Sequence, residues 1–267
     1  MTVIVPLTPA LLAHWPDAWP GERAALLGRI RWHLHTPGAL ALAAVHAGAV
    51  QGFGTAAPQG TSAWITALRW VAEAPPAHAD PLLAALCDAA ARAGCAAVHL
   101  IAPPVHLPAL ERMGFVSIGA VQHWSGGTVE AASDAHVVPL DAAHRLAALH
   151  LHAQALGTVE GLLLHEHTHL AHVWAEQARV RGLYLPTLGA GLIIAQAPHI
   201  GAELQRWHLA HHPGLLLPAD NTAACAHLRA QGHSAFAEGV WMCRGAHTPL
   251  RLPWLHALPW GCAWGGE

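Results

Sequence analysis

Short apolar runs bounded by Gly and Pro alternate along this chain with longer Ala/Leu stretches whose apolar positions recur at helical spacing, the texture of an α/β protein. Residues 2–7 read as a strand and 9–33 as one or two helices, punctuated by Pro16 and Pro20. Residues 39–54 form two strands joined at His46-Ala47-Gly48, where Gly permits the positive φ of a tight hairpin. A third strand covers 63–71. After a Pro-rich loop, Asp80 and Pro81 have the chemistry of an N-cap and a first helical residue, and Gly94 is placed to end the helix. A buried strand at 96–102, a short helix at 107–113 closed by Gly114, and a β-rich segment at 115–124 complete a first half.

The second half ends as the first does. An offset of 118 residues places Leu228 on Leu110, Gly232 on Gly114, Met242 on Trp124 and Gly245 on Gly127, without a gap. Both copies read as helix, Gly stop, then strand. Upstream, 136–140 is a strand, 142–156 a helix, and 182–185 and 192–195 are strand-like runs around Gly189 and Gly191. A helix at 201–211, a strand at 215–219 and the repeat's helix at 221–231 follow. The expected division is 1–128 and 129–267, with a linker of small and polar residues near 127–134.

At 267 residues, two compact domains fill the length, and 54% hydrophobic with 11% charged residues gives both a core. The net charge of −3 and thirteen scattered arginines, with no lysine, supply no basic field, so nucleic acid is not expected as a partner. The start lacks a cationic leader, and the apolar run 182–197 is broken by Pro186 and three glycines. No membrane span is expected. Five widely spaced cysteines without a CxxC pair fit a reduced cytoplasm better than a disulfide framework or a cysteine zinc site.

In this order the elements resemble the GNAT superfamily of acyl-CoA N-acyltransferases, a mixed, splayed sheet flanked by helices. The resemblance rests on Leu42-Ala-Ala-Val-His-Ala-Gly-Ala-Val-Gln-Gly-Phe-Gly, on 65–71, on Leu82-Leu83 with Gly94, and on Leu110-Glu-Arg-Met-Gly-Phe. In the second half it rests on Asn221-Thr-Ala-Ala-Cys running into Gly232-His233, and on Leu188-Gly-Ala-Gly-Leu-Ile-Ile-Ala, which is similar to the second domain of tandem bacterial GNAT proteins. It implies two tandem α/β domains and acetyl-CoA bound where two central parallel strands part, its pantetheine arm on a strand and its pyrophosphate on amides at a helix start. Residue by residue it points to Trp70, Val71, His78, Ala79 and Leu82 in the first half and to Ile193, Ile194 and Asn221 in the second. The family's Gly-rich phosphate loop corresponds to a Gly-free stretch, 73–83, in which Asp80 would repel a phosphate. Gly189, Gly191 and Gly201 allow a backbone-lined groove in the second half.

The reaction so implied is transfer of an acetyl group to an amine of a small molecule or peptide. The family's proton-donating Tyr falls on Leu110 and Leu228, and the chain's one tyrosine is Tyr184. Glu73 is the candidate base. A GNAT scaffold that binds a ligand or partner without turnover is the alternative. His165-Glu166-His167-Thr168-His169 satisfies HExxH, a zinc-protease pattern that requires a continuous helix through His169. In a chain with 24 histidines such a match can arise by chance, a zinc hydrolase is the less favoured reading, and no metal is assigned. Trp254, Trp260 and Trp264 lie in a Pro-rich tail that cannot be one helix and is expected to pack across the domain seam.

Overall fold

A computed structural model describes residues 2–13, 23–70, 79–133, 135–158, 166–177, 179–246 and 249–264. The first half runs β1 (Thr2–Pro6), α1 (Pro9–Ala13), α2 (Arg23–His35), β2 (Leu40–His46), β3 (Ala49–Gln59), β4 (Ser62–Trp70), α3 (Ala79–Arg92), β5 (Ala97–Ala102), α4 (Leu107–Arg112) and β6 (Phe115–Ser125). The second runs β7 (Val137–Pro139), α5 (Ala142–Leu156), β8 (His172–Glu176), β9 (Arg179–Leu185), β10 (Leu192–Ala195), α6 (Pro198–Leu209), β11 (Gly214–Pro218), α7 (Thr222–Ala230), β12 (Ser234–Gly245) and β13 (Leu255–Ala257). β13 has no counterpart in the sequence reading, because three residues inside a Pro-rich tail carry no strand signal of their own.

Local chemistry sets the boundaries. Asp141 caps α5 by accepting from the His144 amide, and Gly157 ends that helix in the left-handed region. α3 turns Leu82, Leu83, Leu86 and Ala90 inward, all buried, over the sheet of the first half. It starts at Ala79, one residue before Asp80, so Asp80 lies inside its first turn instead of capping it.

An eight-stranded sheet has the order β1-β2-β3-β4-β5-β12-β6-β11, and a five-stranded antiparallel sheet the order β13-β10-β9-β8-β7. β12, from the second half, is paired antiparallel on both sides by the first half's β5 and β6. The offset read from the sequence explains why. Moving each partner of Ser117↔Met242 to its repeat equivalent gives Ala235↔Trp124, and both pairs occur. The repeated strands β6 and β12 thus lie against each other about a local two-fold axis. The segments 1–128 and 129–267 interlock through this sheet instead of meeting only at a surface.

The core crosses the seam accordingly. Trp64, Ile101 and Val121 pack in one cluster with Leu151, Leu183 and Leu255. At its centre the Trp64 ring stacks on His99 at 5.3 Å, and Trp241 of β12 donates its indole N–H to His99 Nδ1 at 3.2 Å. Among the described residues, no helix is long and apolar enough to cross a membrane.

Candidate functional site

Parallel strands β4 and β5 are paired only at Ser62↔Ala97, Ala63↔Val98 and Trp64↔His99, after which they part. Strands that part inside a protein leave amides and carbonyls that need partners. Here the chain's own tail supplies them. Leu68 of β4 donates its N–H to the Ala263 carbonyl at 2.6 Å, and Ala263 donates its N–H to the Ile101 carbonyl of β5 at 2.9 Å. Arg69 Nη1 also reaches the Ala263 carbonyl, at 3.0 Å. The Cys262 amide donates to Glu238 Oε1 at 2.7 Å, and Glu238 is the extra residue of a bulge in β12.

The second half parts its strands more completely, since β10 and β11 do not pair with each other. β13 fills the gap. It pairs antiparallel with β10 at Ile193↔Ala257 and Ile194↔Leu255, and Leu258 donates to the Leu216 carbonyl of β11. Asn221 Oδ1 caps α7 by accepting from the Ala224 amide, while Nδ2 donates to the Leu255 carbonyl at 3.0 Å. Gln205 Nε2 donates to the His256 carbonyl at 2.8 Å. The groove is backbone-lined, with this chain in it. A Cβ on Gly201 would lie 2.0 Å from His256 Nδ1, and one on Gly189 2.0 Å from the Pro259 carbonyl oxygen.

In front of the first splay lies a cavity of about 580 Å³, walled by α2, β3, β4, Glu238, the loop between β9 and β10, and the tail. Thr66, the extra residue of a bulge in β4, places its Oγ1 2.9 Å from His33 Nε2 and 2.8 Å from Thr55 Oγ1. From the other half comes His167, whose Nδ1 meets Thr187 Oγ1 at 2.9 Å and whose buried Nε2 has no hydrogen-bond partner among the described residues. Burial, then the charge of His169, lowers the His167 pKa, so the neutral imidazole is the stable form. With a proton on Nδ1 directed to Thr187, Nε2 keeps its lone pair.

The residues singled out from the sequence do not converge. Glu73, Val71 and His78 lie outside the described residues. Trp70 ends β4, Ala79 starts α3, and Leu82 is buried under α3. Ile193, Ile194 and Asn221 surround β13. Tyr184 is buried with its hydroxyl 3.2 Å from His208 Nδ1, its pKa pushed up to about 12 by burial, and it does not line the cavity. Of the HExxH pattern, His165 lies outside the described residues; the helical turn at Glu166 and His167 tightens to a 3-10 turn at Thr168–Leu170 before β8, and His169 Nδ1 meets the Glu166 carbonyl. Among the described residues no group of His, Cys, Asp and Glu side chains could hold a metal ion. Sequence reasoning passed over His33, Thr66 and Glu238 because they are far apart along the chain and carry no motif, and it met His167 only as a member of the HExxH pattern. Trp260 does lie at the seam, 6.5 Å from Trp32 of α2, and Trp264 stacks on His106 at 4.6 Å.

No family model and no curated protein matches the sequence. Solved structures do match. A candidate acetyltransferase from Pyrococcus horikoshii superposes with a TM-score of 0.79 at 16% identity, covering 99% of this chain and 96% of its own. A tandem GNAT protein from the clavulanic acid biosynthesis pathway gives 0.55 at 13% identity, covering 93% and 100%. A GCN5-related N-acetyltransferase from Anabaena variabilis gives 0.54 at 9% identity, covering 91% and 72%. At these identities the shared property is the backbone. With its splayed strands, its repeated helix–Gly–strand corner and these neighbours along nearly its whole length, the chain has the tandem GNAT acetyltransferase fold.

Proposed function

We propose that this protein transfers an acyl group, acetyl in the first instance, from acyl-CoA to a primary amine of a small molecule or peptide, and that the reaction takes place in the first half. The observation that carries this reading is the β4/β5 splay opening onto the 580 Å³ cavity. In the second half the described residues fill the splay themselves, Leu255, His256, Ala257 and Leu258 each being at most 1% exposed within it.

The donor's amide-bearing arm would run along β4 between the parted strands toward the start of α3, and its thioester would face the cavity. In the reaction the amine nitrogen attacks the thioester carbon, the C–S bond breaks, and the amine's proton must reach a base while the thiolate gains one. His167 Nε2 is suited to accept that proton, and the Thr66–His33 pair lies on the same cavity wall. Glu73, at the end of the same strand in sequence, stays a second candidate base. Five free cysteines accord with a cytoplasmic protein.

The test is hydrogen exchange with and without acetyl-CoA, beside release of CoA thiol over a panel of primary amines. Slowed exchange at 79–82 with no change at 192–195, and amine-dependent thiol release, are the expected results. Cofactor binding without thiol release from any amine would favour the alternative, a GNAT scaffold that binds without turnover. Protection confined to 192–195 would move the site to the second half.

A further inference from the structure

The two splays hold the same tail very differently. In the second half the insert is a strand, buried throughout and gripped by Asn221, Gln205 and two close-approach glycines. In the first half it is a single parallel bridge, Ile101↔Cys262, in a segment where Ala263 is fully buried between the strands and Gly261, Cys262 and Trp264 are only partly buried. A segment with one ladder pair and one fully buried residue opens at lower cost than a strand buried along its whole length.

The short bridge also stands where a donor would. A ligand seated between β4 and β5 must present a carbonyl to the Leu68 N–H and an N–H to the Ile101 carbonyl. The Ala263 peptide groups already do both. The pantetheine arm of CoA, which carries two amides on a flexible chain, offers the same pair of groups. Two ligands of one set of backbone partners exclude each other.

We infer that residues 261–264 are a displaceable internal strap in the acyl-donor channel of the first half, so that donor binds only when the strap leaves. This rests on the acyltransferase reading and concerns the regulation of that site. β13 and Pro259 stay anchored in the second half when the strap opens, which keeps it tethered beside the channel and able to return. Affinity for the donor is therefore reduced by the fraction of molecules with the strap open. Anything that captures the freed end raises that fraction.

Two variants test it, each with a readout that needs no cofactor. One is Ala263→Pro in the full chain, which deletes the N–H given to Ile101; the other is a chain ending at Trp260, which keeps β13 and all its contacts. Exchange of the Leu68 amide is expected to accelerate about 100-fold or more in both, with the exchange of β10 unchanged. Calorimetric titration with acetyl-CoA is expected to give binding about tenfold or more tighter than the intact chain in both. A Leu68 amide that exchanges equally fast with and without the strap overturns the inference. Equal affinity for acetyl-CoA in intact and strapless chains overturns it too, while leaving the acyltransferase reading in place. An exposed Leu68 amide with no binding of acetyl-CoA by any form overturns the acyltransferase reading, and the strap's regulatory role with it.

Discussion

His167 shows how one side chain can be chemically prepared by its surroundings. One ring nitrogen is committed to Thr187, the other is buried without a partner among the described residues, and burial favours the neutral ring that a base requires. Because its pKa lies below the ordinary histidine value, the imidazole is neutral above that range and is protonated only as pH falls through the lowered value. Activity is expected to be flat near neutrality with an acid limb below pH 6.5. His167→Gln is expected to lower kcat about 10²-fold or more, leave the KM for acyl donor unchanged and abolish the limb. A pH–rate profile of both forms checks this; an unchanged limb would assign the base elsewhere, with Glu73 next in line. The sequence marked His167, one of the chain's 24 histidines, only as part of a zinc-type pattern and not as a base. Only its neighbours in space distinguish it.

Among the elements, α6 and β13 meet at Gly201. Ala is the better helix former by about 1 kcal/mol, so Gly201→Ala would stabilise an isolated helix. The new methyl would overlap the His256 ring, which is 1% exposed and cannot swing away. Overpacking of this kind costs about 1–3 kcal/mol and should win. Gly201→Ala is expected to lower stability by about 1–2 kcal/mol in urea denaturation with an unchanged m-value, and a gain in stability would show that β13 is not seated there. The strands and helices themselves were legible wherever they are long. α5 falls at 142–156 as its Ala/Leu content and the following Gly require, and the hairpin turns at Ala47-Gly48. β13 was not legible, because it lies in a Pro-rich tail and is specified by β10 and β11, between which it sits.

At the scale of the molecule, buried histidines tie folding to pH. His152, His208 and His256 have pKa values lowered to about 4, each chiefly by burial. Each binds a proton more readily when unfolded, so its folded-state contribution is complete above pH 6.5 and is lost as pH falls toward 4. The expected loss is about 3 kcal/mol for each ring that titrates over that window. Thermal melts from pH 7.5 to pH 4 should show Tm constant at the upper end and falling steeply below pH 6; a flat Tm would mean that the rings are hydrated in the native protein.

The sequence by itself determined the local part of this protein: apolar period, Gly stops and Asp or Asn caps act within a few residues, so they fix helices, turns and the repeated corner wherever the chain goes. The sequence reading that Gly189 and Gly201 allow a groove names positions where the chain's own Pro259 and His256 come close to the backbone. What fills that groove, which half keeps an open cleft, and the exchange that places β12 between β5 and β6 were decided only by the tertiary structure. The reason is physical. A parted strand will accept any extended segment that presents a carbonyl and an N–H at the right spacing, so composition alone does not say whether the occupant is a cofactor or the chain's own tail.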